Sequence, residues 1–283
     1  MHGFGSNALD QQNYSEMDSY AHAENMAVVY PEGINNAWNV GTYWDGNASI
    51  DDIGFIDVMV DSIAQNFNID LDRVYACGMS NGGYMAYELS CSLYNKIAAF
   101  GSVTGNFMLN SNQNCNQERE IPIIHFHGTA DAVVNYYPPS FDGALTVEES
   151  IDYWSDFNNL TNLNSEFLNN EVEKFIYSSE ITNTQFIHYK VTGGQHEWFG
   201  SSWGFHASEE LINFFMDYEL SDFTDLVILG DVNDDEIVNI LDIIQVVNMI
   251  LGNLPVDTIA DINNDGLVNI VDILLIVNII IGE

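Results

Sequence analysis

Residues 78 to 83 read Gly-Met-Ser-Asn-Gly-Gly, and no other stretch constrains the fold of this chain as tightly. The apolar run Arg73-Val74-Tyr75-Ala76-Cys77 precedes it, and Tyr84-Met85-Ala86-Tyr87-Glu88-Leu89 follows. The first reads as a buried strand and the second as the start of a helix. Small residues around Ser80 allow a sharp strand-to-helix turn, which presents the serine hydroxyl at its apex. The helix N-terminus beneath that hydroxyl favours negative charge developing beside it. A serine in a tight turn also occurs in many unrelated folds. A catalytic reading therefore requires a carboxylate and then a histidine further along the chain.

Both are present in that order. The apolar run at 121–127 ends in Gly128-Thr129-Ala130-Asp131, which puts Asp131 just past the C-terminal end of a strand. The run at 185–191 leads into Thr192-Gly193-Gly194-Gln195-His196, again a loop past a strand end. Open α/β sheets carry their reactive groups at these ends. His2, His22, His125 and His127 come too early in the chain, His188 lies mid-strand, and His206 opens a helical pattern. Ser80 is then the candidate nucleophile, His196 its base and later acid, and Asp131 the group that orients the imidazole. The oxyanion needs two backbone N–H donors. Asn81 supplies one and Phe4, in His2-Gly3-Phe4-Gly5, supplies the other.

With these residues in place the chain resembles the secreted polyhydroxybutyrate depolymerase and feruloyl esterase family of α/β-hydrolases. The matching pieces are His2-Gly3-Phe4-Gly5, Tyr30-Pro31-Glu32-Gly33 with Trp38-Asn39, Asp72-Arg73-Val74-Tyr75, the Ser80 turn, His127-Gly128-Thr129-Ala130-Asp131 and Gly194-Gln195-His196-Glu197-Trp198. The resemblance covers about residues 1 to 220 and implies an extracellular serine esterase. It leaves open whether the ester is a polyester or an acetyl or feruloyl group on polysaccharide. The family carries strands before the His-Gly loop, so the resemblance implies that N-terminal strands, with any secretory leader, are missing from this sequence. The absent neighbour would sit between strands at 27–30 and 74–77.

A second signal stands at the C-terminus. Asp231, Asn233, Asp235, Ile237, Asn239 and Asp242 occupy loop positions 1, 3, 5, 7, 9 and 12, and Asp261, Asn263, Asp265, Leu267, Asn269 and Asp272 repeat the pattern 30 residues later. Alternating hard oxygen donors at this spacing suit calcium, with Ile237 and Leu267 giving backbone carbonyls. Glu236 stands where the second loop has Gly266, so the first site is expected to bind more weakly. Each loop runs into an apolar helix, at 243–251 and 273–281. The duplication resembles a type I dockerin module, which implies two structural calcium ions and a cohesin-like partner. Ile240-Leu241 and Ile270-Val271 depart from the small polar residues such modules use for recognition. The expected organisation is a hydrolase domain at 1–220, a linker at 221–229 and an all-α module at 230–283.

A formal charge of −37, with only five Lys and Arg, disfavours nucleic-acid and anionic-lipid partners. The last helix is short of the ~20 residues that span a bilayer. Of three cysteines, Cys91 and Cys115 form the favoured disulfide, with three free thiols as the alternative. Helices are expected from Ser49 or Asp51 onward and at 147–157, followed by an Asn-rich loop to Asn170 that could rim the site. Trp38 and Trp198 are candidates for a substrate rim. The competing function class is a non-catalytic binding or scaffold protein with a vestigial hydrolase domain.

Overall fold

A computed structural model describes residues 1–40, 49–108, 115, 117–140, 143–180, 182–223, 230–233, 237–263 and 265–281. The chain divides into two compact units, 1–223 and 224–283.

The first unit is built on one six-stranded sheet, with strands β1 (Tyr75–Met79), β2 (Ala99–Val103), β3 (Ile123–Gly128), β4 (Asn162–Phe167), β5 (Val172–Ser178) and β6 (Gln185–Val191). Its order is β1-β2-β3-β6-β5-β4. The first four in that order run parallel, and β5 and β4 complete the sheet antiparallel. Parallel strands are covered on both faces and read as continuous apolar runs, as β2 and β3 do. Side chains alternate between two cores. Ala99, Val103, Ile124 and Phe126 join one, and Phe100, Ile123 and Phe186 join the other.

Helices fill both layers. α1 (Ala8–Ser15) precedes α2 (Met17–Ala23), and the first core is closed by Met17 of α2 and by Leu211, Phe214 and Phe215 of α6 (Ala207–Met216). The second receives Ile56 from α3 (Asp52–Asn66), Met85 and Leu89 from α4 (Asn81–Ser92), and Ile151 and Trp154 from α5 (Val147–Phe157). Asp51, not Ser49, caps α3, accepting the N–H of Gly54 at 2.8 Å. Cys91 and Cys115 are joined, with Cα atoms 4.9 Å apart.

Three expectations change. Residues 27–30 belong to no strand; they and Tyr75, Ala76 and Cys77 of β1 line a cavity of about 690 Å³. On β1, Met1 makes two main-chain bonds: its amino group donates to Cys77 O and its carbonyl accepts from Met79 N. The Asn-rich stretch after α5 is not a loop throughout: 162–167 form β4, an exposed edge strand whose outward positions tolerate polar residues. The first unit also extends past 220, since Asp72 accepts the N–H groups of Leu220 and Ser221.

The second unit holds helices α7 (Ile240–Ile250) and α8 (Ile270–Ile281). Both begin three residues earlier than their apolar patterns, because Asn239 and Asn269 cap them. Each Asn side chain accepts an N–H two residues on, and Asp242 and Asp272 return the bond to the Asn backbone. The core obeys the 30-residue repeat: Val232, Val238, Ile243 and Val246 pack with Ile262, Val268, Ile273 and Ile276. Among the described residues no helix is long and apolar enough to cross a membrane.

Candidate active site

Ser80 sits between β1 and α4 with φ 53° and ψ −120°. A non-glycine residue held there stores about 1–3 kcal/mol of backbone strain. The surroundings fix it: Ser80 N donates to Val103 O at 2.8 Å, and the N–H groups of Gly83 and Tyr84 return to Ser80 O. Gly82 must be glycine, because a Cβ there would lie 2.4 Å from Met1 O. The main chain of the His-Gly loop therefore rests directly on the serine turn. Gly3 is so close that a Cβ on it would stand 3.4 Å from Ser80 Cβ.

Asp131 and His196 come from the loops after β3 and β6. Main-chain bonds join these loops, with Thr129 N donating to Val191 O and Ala130 N to Gly194 O. His196 Nδ1 donates to Asp131 Oδ2 at 2.8 Å. Asp131 Oδ1 accepts from both Val133 N and Val134 N, each at 2.8 Å. Burial by itself would raise the pKa of Asp131. The bonds with His127, His196 and Val134 outweigh it and hold the carboxyl well below its ordinary range. An ionised carboxylate on Nδ1 places the proton there and leaves Nε2 as the basic nitrogen of His196.

A cavity of about 480 Å³ is lined by Ser80, His196, Phe4, Gly3, Tyr14 and Met79, among others. The structure thus brings Ser80, His196 and Phe4 to one opening, with Asp131 buried behind the histidine. Asn81, also fully buried, starts α4 beside the serine. The first N–H groups of a helix have no carbonyl within it, so that of Asn81 is placed to meet an oxyanion.

The two tryptophans do not rim this cavity. Trp38 has no exposed surface and Trp198 is 5% exposed. The indole N–H of Trp38 donates to His2 O, and that of Trp198 to Ser208 Oγ. Residue type alone cannot tell a rim aromatic from a buried one, and these two are packed behind the site.

His127, set aside above because of its place in the chain, lies against the carboxylate. Its Nε2 is 2.8 Å from Val134 O and 3.4 Å from Asp131 Oδ2, fully buried. His125 alternates with it on the same face of β3, the one sequence signal that could have drawn attention to the pair. Burial pushes His125 well below the usual imidazole range and His188 down to about 3, so both stay neutral. His188 Nε2 and the Tyr136 hydroxyl are 3.0 Å apart.

In the second unit, Asp242 and Asp272 are fully buried and each closes its own loop, accepting from the backbone at 232 and at 262 respectively. Asp261 accepts the N–H groups of Asp265 and Gly266, the latter at φ 82°, where a side chain would be strained. Residues 224–283 contain no Lys, Arg or His, so no side chain of the unit can neutralise these carboxylates. Oxygen-only donors with buried charge fit a hard divalent cation. Among the described residues no three His, Cys, Asp or Glu side chains gather closely enough to hold a metal by themselves. Calcium would therefore draw on Asn amides and the carbonyls of Ile237 and Leu267. Asp235 and Glu236 lie outside the described residues.

Comparison with known proteins adds an independent line. The sequence pattern of the phospholipase/carboxylesterase family matches residues 52–183, a span that contains Ser80 and Asp131. The chain is 32% identical over 136 residues to a bifunctional acetylxylan esterase/xylanase of Neocallimastix patriciarum, covering 48% of this chain and 19% of that protein. It is 29% identical over 148 residues to a putative esterase of Nocardia uniformis, covering 52% and 41%. With feruloyl esterase D of Neurospora crassa it shares 29% over 109 residues, covering 38% and 33%. The chain thus spans well under half the length of each of these relatives. Acetyl xylan esterase from Aspergillus awamori superposes with a TM-score of 0.54 at 15% identity, over 75% of this chain and 86% of that one. These likenesses give the first unit the α/β-hydrolase fold, and the relatives matched in sequence are named as esterases.

Proposed function

We propose that this protein is an extracellular serine esterase that removes acyl groups, acetyl or feruloyl, from polysaccharide. The observation that carries the reading is the His196–Asp131 bond at the same cavity as the strained Ser80. In the proposed cycle His196 Nε2 takes the Ser80 proton as Oγ attacks the acyl carbon. The carbonyl electrons move onto oxygen, where the N–H groups of Asn81 and Phe4 meet them. Collapse expels the sugar alkoxide, protonated by His196, and leaves an acyl-enzyme. Water, activated by the same imidazole, releases the acid and restores the serine.

Relatives named for acetylxylan and feruloyl esters support the substrate class. A retained strained elbow argues against a vestigial domain, since about 1–3 kcal/mol of strain without use would be readily lost to mutation. We assign the second unit two structural calcium ions and a docking role. The exposed pairs Ile240-Leu241 and Ile270-Val271 are where a cohesin-like partner would rest. A panel of acetylated xylan, methyl ferulate and a hydroxybutyrate oligomer tests the substrate. Release of acetate or ferulate is expected; turnover confined to the hydroxybutyrate would overturn the polysaccharide assignment.

A further inference from the structure

The two N–H groups that would meet the oxyanion come from segments far apart in the chain, Phe4 from the His-Gly loop and Asn81 from the start of α4. Their separation decides whether both can reach one oxygen at about 2.7–3.1 Å. A third segment joins them. The backbone N–H of Trp38 donates to Asn81 Oδ1 at 2.6 Å, and Asn81 Nδ2 donates back to Trp38 O at 3.1 Å. The indole Nε1 of the same tryptophan donates to His2 O at 3.0 Å. His2, Trp38 and Asn81 are all fully buried.

Further bonds anchor the loop to the same segment. Gly33 N donates to His2 Nε2 at 2.9 Å, and His2 Nδ1 is 2.9 Å from Gly3 O. Together these fix the Nδ1–H tautomer. Gly5 N donates to Asn36 O, and Asn36 Nδ2 to Ser6 O. The imidazole of His2 leans on the indole at 5.1 Å between ring centres. Trp38 therefore holds α4 with its main chain and the His-Gly loop with its side chain.

Resting on the esterase reading, we infer that Trp38 is a positioning residue: with Asn81 it clamps the two oxyanion donors at a fixed separation. The clamp acts when charge develops on the acyl oxygen and contributes little while the substrate is neutral. Its removal lowers kcat and leaves KM in place.

The test uses Trp38→Phe in the full chain, which keeps an aromatic ring and the backbone bonds to Asn81 but deletes the indole N–H together with part of the buried ring volume. Asn81→Ala is the second variant, keeping its backbone N–H and deleting both clamp bonds to Trp38. Four quantities are measured: kcat and KM on p-nitrophenyl acetate, the inhibition constant of phenylboronic acid, and Tm. Boron accepts the Ser80 oxygen and becomes a tetrahedral anion, with the serine proton passing to His196, so it reports the same donors without turnover. Both variants should lose about 10- to 100-fold in kcat and a similar factor in boronate affinity, with KM held within about twofold. Folded variants that keep wild-type kcat and boronate affinity would overturn the clamp alone. So would a proportional rise in KM, or variants that no longer unfold cooperatively, since either marks a purely structural role. Wild-type protein that neither cleaves esters nor binds the boronate would overturn the esterase reading and the clamp together.

Discussion

His196 Nδ1 donates to Asp131 Oδ2 at 2.8 Å while the other oxygen of the same carboxylate takes two backbone N–H groups. The carboxylate can neither swing away from the imidazole nor become protonated near neutral pH, since these bonds hold its pKa well down despite burial. One tautomer of His196 is therefore imposed.

Asp131→Asn should leave the fold intact and lower kcat by about 10⁴, because the amide can present N–H to Nδ1 and reverse the tautomer. Stopped assays on a p-nitrophenyl ester, with circular dichroism as the folding control, check this. A loss under tenfold would mean that the bond does not orient the base.

His127 braces the same turn through Val134 O. His127→Leu should cost about 1–3 kcal/mol in stability by leaving a buried carbonyl unpaired. Urea unfolding of this variant and of His127→Gln, which can retain a donor, gives the measurement. Equal midpoints for Leu, Gln and wild type would remove the brace from the account.

Buried His188 titrates near 3 in the folded chain, against an ordinary 6.5. Between those values the unfolded chain holds a proton that the folded chain does not. Its contribution is thus complete above about pH 6.5 and falls with acid, by up to about 1.4 kcal/mol per pH unit. Wild-type stability should drop more steeply than that of His188→Phe between pH 7 and pH 5, a comparison that cancels the relief of surface repulsion in acid. Parallel profiles would contradict the buried neutral imidazole.

Calcium should stabilise the second unit and leave catalysis untouched. Calorimetry of the full chain with millimolar calcium is expected to raise the transition of 224–283, and EDTA to lower it, with ester turnover unchanged. Titration should resolve two sites, with the tighter lost in Asp261→Ala. If a left-handed residue is also required at position 236, Glu there weakens the first site by about 1 kcal/mol, roughly fivefold. A calcium-insensitive transition would remove the metal from the account.

Much of the first unit was legible in its residues, for identifiable reasons. The Ser80 turn, the order of Asp131 and His196, the Cys91–Cys115 bond and the helix at 147–157 are local or chain-order signals. Other features depend on partners that a sequence does not display. The apolar run at 27–30 reads as a strand, but among the described residues no strand pairs with it. β4 is written in Asn, Ser and Glu because it is an exposed edge, which reads as a loop. Trp38 lies behind the site because Asn81 and His2 bind its polar groups there, a long-range relationship. The early starts of α7 and α8 come from Asn caps whose residues also satisfy a calcium pattern, so one set of side chains supports two readings.

The central claim is that Ser80 is an activated nucleophile, and covalent labelling tests it most directly. A fluorophosphonate should react with the wild-type chain to full stoichiometry, and digestion with mass spectrometry should find the adduct on the peptide containing Ser80. Ser80→Ala should take no label and lose ester turnover by several orders of magnitude. Labelling elsewhere, or undiminished turnover in Ser80→Ala, would contradict the account.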